Sequence, residues 1–263
     1  MERKLPLIIT ATPNICWLHP EVPYPQTHEE MAEEARLCRE AGASILHMHA
    51  DDWPPAIAAV RAKTDIIVQC GMSSEPIPER MEIFRCHGDM ISIITSHHDE
   101  AFAEVDTHAL HPREELEEYA RLSAEYAVKL EFETWHTGSI WNLNYLIEKK
   151  LVEPPYFTSL FFGWPGGSWS PPTVEEYFYR RRYLPEGSIA TVSVMDERQT
   201  DIVAAAIVAG DHIRVGTEDY PFDRQGSVAQ AHQLVAEAVE LAAALGRPVA
   251  TPQQAREIIF PET

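Results

Sequence analysis

The sequence predicts an α/β chain closed into an eight-fold (β/α)8 barrel of the TIM type, and three observations predict it. Short apolar runs alternate with longer amphipathic stretches along the whole chain. The length, 263 residues, is close to the ~250 typical of such a barrel. The first turn reads ATPNICW, without the G-x-G-x-x-G that an open doubly wound sheet usually carries there.

The strand candidates are LPLIITA (5–11), SILHMH (44–49), DIIVQC (65–70), MISII (90–94), VKLEFE (128–133), FTSLFF (157–162), IATVSV (189–194) and HIRVG (212–216). Most are β-branched or continuously apolar, as parallel strands covered on both faces require. Between them lie helix candidates. The stretch 27–42 opens with Thr27 and Glu30 at capping-box spacing and stops at Gly42. WPPAIAAVRAKT carries proline in its first turn. Further helices are predicted over 78–88, 112–127, 138–150, 173–184, 199–210 and 225–246. A short final helix, 252–260, follows Thr251 as N-cap. A right-handed series of eight such units closes into a barrel, so residues 1–263 are read as one domain ending in a short C-terminal helix. The Pro-rich WLHPEVPYPQT (17–27) and GWPGGSWSPP (163–172) read as long loops on the face that carries barrel chemistry.

Hydrophobic and charged contents of 45% and 24% are ordinary for a soluble domain. The net charge of −20 repels phosphate backbones and anionic lipid, which argues against nucleic-acid and membrane partners. An anionic small substrate stays open, because a local cation overrides the global field. Cys16, Cys38, Cys70 and Cys86 form no C-x-x-C pair, and the first apolar run is too short for a signal or membrane helix. A cytoplasmic protein with reduced thiols is expected.

Four stretches carry chemistry. In SILHMHADD, strand alternation points His47 and His49 the same way at a strand's C-terminal end, an arrangement suited to Zn²⁺, Fe²⁺ or Mn²⁺. In HIRVGTEDYPF, Arg214 needs a partner or ligand inside a barrel, Glu218 is a candidate carboxylate ligand, and Asp219 a base or the partner of Arg214. In VKLEFETWHTG, Glu131 and Glu133 share one strand face. In GWPGG, Gly166 and Gly167 let backbone N–H groups approach an anion or thioester oxygen. His97, His98 and His136 read as solvated loop histidines that follow strands.

The order of PLIITA, AGASILHMHADD, VKLEFETWHTG, FFGWPGG, HIRVGTED and GRPVATPQQAREII resembles the β-keto acid cleavage enzymes, typified by the 3-keto-5-aminohexanoate cleavage enzyme. That resemblance implies a Zn²⁺-dependent barrel, a homotetramer, that condenses a β-keto acid with acetyl-CoA to give acetoacetate and a new acyl-CoA. Carried over by position, it implies His47, His49 and Glu218 as zinc ligands and Arg214, Asp219 and Glu133 as catalytic residues. It also implies Ser92 lining the site, with Gly166 and Gly167 near the thioester. Two departures stand out. Trp17 replaces a glutamate that meets the substrate's ammonium in the type member, which implies a keto acid without an amino group. CGMSS (70–74) replaces a Ser-Thr-Gly-Gly segment; Ser73 is the nearest hydroxyl and Gly71 the alternative occupant of the serine position. A divalent-metal barrel lyase, hydrolase or aldolase that uses no CoA is the competing reading.

Overall fold

A computed structural model describes residues 5–72, 77–96, 98–100, 107–109, 111–166 and 168–261. Eight parallel strands form a closed barrel: β1 (Ile9–Ala11), β2 (Ile45–Met48), β3 (Ile67–Cys70), β4 (Met90–Ile94), β7 (Lys129–Thr134), β8 (Tyr156–Phe162), β9 (Ser188–Val194) and β10 (His212–Val215). Their order around the barrel follows the chain, and β1 pairs β10 to close it, with Thr10 beside Arg214. All eight predicted strands are present, so the (β/α)8 barrel stands.

The helices are α1 (His28–Ala41), α2 (Trp53–Lys63), α3 (Ile77–Ile83), α4 (Arg113–Tyr126), α5 (Thr137–Glu148), α6 (Val174–Arg181), α7 (Gln199–Ala209), α8 (Ala231–Ala244) and α9 (Pro252–Ile259). Their ends follow local chemistry. Thr27 Oγ1 accepts from Glu30 N while the Glu30 carboxylate accepts from Thr27 N, which closes the predicted capping box, and Gly42 ends α1 at φ +124°.

Two local differences from expectation have physical causes. The helix expected from residue 225 starts at Ala231. Before it, Asp223 Oδ1 accepts from the backbone N–H groups of Gln225 and Ser227, Gly226 turns at φ +79°, and Val228 bridges back to Phe222. An antiparallel pair, β5 (His98–Glu100) with β6 (Thr107–Ala109), lies between β4 and α4, where no element was expected. His98 therefore opens a strand instead of sitting in a loop; His97 lies outside the described residues.

The main core lies between the strands and the helix ring, where α1 packs against α2 and α8. A second cluster fills the N-terminal end of the barrel. There Ile8, Ile45, Ile67, Met90 and Phe157 meet Ala255 and Ile259 of α9. Each Ile, Met or Phe side chain there contributes roughly 1.5–3 kcal/mol on full burial. The short terminal helix is thus the plug of the barrel floor, and chemistry is left to the opposite end.

Candidate metal centre at the barrel mouth

His47 lies on β2 and His49 directly after it, both buried. The backbone of His49 is fixed by the Asn14 side chain, whose Nδ2 donates to His49 O at 2.9 Å and whose Oδ1 accepts from His49 N at 3.0 Å. Glu218 arrives from the turn after β10. Its N–H donates to Thr12 O at 3.1 Å, and Thr217 Oγ1 donates to Pro13 O at 2.7 Å. This approach of two strand ends needs glycine at 216, where φ is +155° and a Cβ would collide with the Thr12 backbone.

Three donors converge. His47 Nε2 lies 3.3 Å from His49 Nε2. Glu218 Oε2 lies 3.4 Å from His47 Nε2 and Glu218 Oε1 3.4 Å from His49 Nε2. His47 Nδ1 hydrogen-bonds Gln69 Oε1 at 2.8 Å, so this nitrogen carries the proton and Nε2 the lone pair. Burial, then the Arg214 charge, holds the His47 pKa below its usual value and keeps the ring neutral, as a ligand must be. His47, His49 and Glu218 together could hold one metal ion. Two imidazoles and a carboxylate suit zinc, iron or manganese.

Arg214 is wholly buried behind this trio. It donates to Asp219 through two nitrogens, at 2.8 and 3.0 Å, and stands 2.9 Å from Glu218 Oε1. Its guanidinium also lies over the Phe161 ring, 5.1 Å from the centroid. Burial opposes its charge, but Asp219, Glu218 and Glu133 outweigh burial and hold its pKa above the ordinary value. Two carboxylates share this one cation, so both cannot be held low. Burial pushes Glu218 up, but Arg214 and the two histidines reverse that and hold it well below the usual range. Asp219 is raised, first by burial and then by the Glu218 charge, although Arg214 opposes and Ser193 Oγ donates to its Oδ2 at 2.9 Å.

Glu131 and Glu133 both face the interior, as alternation on β7 predicts. Burial raises both, Glu131 to about 8, with Arg214 opposing. Trp135 Nε1 donates to Glu133 Oε2 at 3.2 Å. Ser92 on β4 pairs in register with Glu131, and its side chain is buried. Trp17 is half-buried and stands edge-on to the His49 ring at 5.7 Å.

Gly166 turns the loop after β8 at φ +118°, and its carbonyl accepts from Trp169 N. Gly167 and Ser73 lie outside the described residues. Gly71 ends β3 against the two imidazoles: a Cβ there would lie 2.6 Å from His49 Nε2 and 2.8 Å from His47 Nε2. His136 is the N-cap of α5, its Nδ1 accepting from Gly138 N at 3.1 Å, and is not a free loop histidine. Asn14, Gln69, Ser193 and Trp135 are contacts of the site that motif reading passed over. For Gln69 a signal existed, an amide in an otherwise apolar strand run.

A family model described as "beta-keto acid cleavage enzyme" matches residues 6–260. The chain belongs to the β-keto acid cleavage enzyme family. It is therefore an enzyme, in a family defined by β-keto acid cleavage. Relatives agree along most of the length. The 3-keto-5-aminohexanoate cleavage enzyme of Fusobacterium nucleatum subsp. nucleatum is 31% identical, over 96% of this chain and 97% of its own. The 3,5-dioxohexanoate:acetyl-CoA acetone transferase of Paraburkholderia graminis is 22% identical, over 98% and 97%. The 3-dehydrocarnitine:acetyl-CoA trimethylamine transferase of Rhizobium meliloti is 29% identical over 54% of this chain and 46% of its own. Among solved structures, the binary complex of ObcA with oxaloacetate superposes with a TM-score of 0.72 at 15% identity, covering 90% of this chain and 67% of that one, a likeness of fold.

Proposed function

We propose that this member of the family condenses a β-keto acid with acetyl-CoA, releasing acetoacetate and an acyl-CoA, at a Zn²⁺ site of His47, His49 and Glu218. The observation that carries it is the convergence of those three donors beside the Arg214–Asp219 pair. When bound, the metal supplies Lewis-acid polarisation of the keto carbonyl. Everything else falls to side chains. Arg214 sets a fixed positive charge beside the enolate that carbon–carbon cleavage expels. Asp219, with its raised pKa and its anchors on Arg214 and Ser193, moves the proton. Glu133, steadied by Trp135 Nε1, and Ser92 line the reacting end, while Gly166, Gly167 and Ser73 serve the substrate and thioester side.

Trp17 selects the acyl part. Its indole, packed with Leu18 against the aromatic cluster of Trp135, Phe161 and Trp164, offers apolar surface where a carboxylate would be needed for an ammonium. The substrate is a β-keto acid with a small or apolar side chain and no amino group. We also infer a homotetramer, supported by the exposed aromatic side chains of Phe178, Tyr179 and Tyr183 on and after α6, and a reducing, cytoplasmic setting, supported by four unpaired cysteines. No helix among the described residues is long and apolar enough to cross a membrane.

The test is a panel of β-keto acids with acetyl-CoA and metallated protein, read by mass spectrometry for new acyl-CoA. Acyl-CoA from apolar substrates, exceeding that from amino-bearing ones, is expected. No acyl-CoA from any of them defeats the reading in favour of a CoA-independent metal lyase. Asp219→Asn is expected to keep its metal and lose roughly 10²–10⁴-fold in turnover; near wild-type turnover removes Asp219 from the proton step.

A further inference from the structure

Arg180 has no part in the chemistry above, yet it is a wholly buried arginine on α6. Its Nη1 donates to Phe161 O at 2.6 Å, and its Nη2 donates to Thr134 O and, at 3.3 Å, to Thr134 Oγ1. Its Cζ lies over the Phe162 ring, 4.8 Å from the centroid. These partners are carbonyls, a hydroxyl and a ring face, and none is a carboxylate. Burial pulls the Arg180 pKa down to about 10, opposed by Glu176, so the side chain stays charged at neutral pH. A buried cation without a counter-ion is expensive, and an apolar side chain of similar volume would fill the space at less cost. What the arginine adds is a planar fork that grips two acceptors at once.

Those acceptors belong to two strand ends. Thr134 is the last residue of β7, and Phe161 is the last but one of β8. Trp135, directly after Thr134, stacks on Phe161 with ring centroids 4.3 Å apart and planes at 19°. The stacked pair stands between two residues of the site. Trp135 Nε1 donates to Glu133 Oε2 at 3.2 Å, and the Arg214 Cζ lies 5.1 Å from the Phe161 centroid. A shift of either strand end therefore reaches Glu133 or Arg214.

We propose that Arg180 is a positioning residue of the site: from the helix ring it ties the ends of β7 and β8 together, so that the Trp135–Phe161 stack holds Glu133 and Arg214 in place. This rests on the reading of Glu133 and Arg214 as residues that act on the keto acid. Other anchors do not need Arg180. Ser170 Oγ donates to Trp135 O at 2.6 Å, and Thr134 Oγ1 to Ser159 O at 2.9 Å. Loss of the fork therefore loosens the strand ends without parting the strands.

The test combines an NMR spectrum of the indole N–H groups of the full chain with kinetics on the best substrate of the β-keto acid panel. Trp135→Phe identifies the Trp135 resonance by its loss. Arg180→Met is expected to move that resonance upfield, as its hydrogen bond to Glu133 weakens, and to lower kcat roughly 10–100-fold with KM little changed. Arg180→Lys keeps the charge but not the fork; it is expected to lie between, and it carries the same readouts should the Met variant not fold. Trp135→Phe combined with Arg180→Met is expected to lose less than the product of the two single losses, because both act through one ring. An unmoved resonance in Arg180→Met, lowered thermal stability with unchanged kcat, single losses that simply multiply, or wild-type behaviour of Arg180→Lys each overturns the proposal. No acyl-CoA from the wild-type chain defeats the reading of the function instead, and the indole resonance still decides whether Arg180 positions Trp135.

Discussion

At the floor of the barrel stand Ile8, Ile45, Ile67, Met90 and Phe157; two residues further along the same strands stand Thr10, His47, Gln69, Ser92 and Ser159. One inward step, about 6–7 Å of strand, turns an all-apolar layer into an all-polar one. The floor is sealed by α9 and has no hydrogen bond to find. In the layer above, Thr10 Oγ1, Ser92 Oγ and Ser159 Oγ are buried and find no partner among the described residues, a cost of roughly 1–3 kcal/mol for each such group. A layer built for stability would not carry such groups. The barrel therefore separates its two tasks along one axis, with packing below and charge above, and the separation is sharp enough to be tested one residue at a time.

The largest effect is expected at Arg214. Arg214→Met leaves Glu218 and Asp219 as uncompensated buried carboxylates, which costs about 3–5 kcal/mol by denaturant titration, and removes charge stabilisation worth roughly 10²–10³ in turnover. Retained turnover would move the chemistry away from this layer. Phe157→Ala on the floor is expected to cost a similar ~3–5 kcal/mol through cavity formation, with kinetics unchanged below the melting range. A specific loss of turnover there would show that the layers are not independent.

Glu131 tests the boundary through pH. Its folded pKa is about 8 against an ordinary value near 4.5. The folded chain holds that proton across the window while the unfolded chain does not, so stability falls as pH rises from about 4.5 to 8. Glu131→Gln is expected to flatten this slope, gaining on the order of a few kcal/mol at pH 8 and little at pH 5 in chelator-treated protein. A slope unchanged by the substitution would show that Glu131 ionises freely in the folded state. The smallest effect belongs to the plug. Thr251→Ala removes the N-cap of α9, where Thr251 Oγ1 accepts from Gln254 N at 3.2 Å, and is expected to cost ~1 kcal/mol with unaltered turnover.

Much of this axis was legible in the chain. The eight strands announce themselves as apolar runs, and strand alternation is enough to pair His47 with His49 and Glu131 with Glu133. What alternation cannot supply is the neighbour on the adjacent strand. Gln69 meets His47, Asn14 meets His49 and Ser193 meets Asp219 because the register of neighbouring strands brings them level. The β5–β6 pair was invisible for another reason: HDE and THA have no apolar period, so only their pairing makes them strands. Val228 extends the apolar spacing of Ala231 and Leu234 back toward residue 225, yet Asp223 captures the N–H groups of Gln225 and Ser227 first. Local competition of that kind leaves little trace in a hydrophobic pattern.

The join between β1 and β10 has one more consequence. Glu218 and His49 are 169 residues apart in the chain, and they meet across the seam where the last strand finds the first. During synthesis, a chain that has made both histidines and both interior glutamates still has no centre, however well its first strands have paired. The cluster comes into being only when the ring shuts, so a truncated or half-folded copy cannot present it. The position of the seam makes the centre a proofreader of its own assembly.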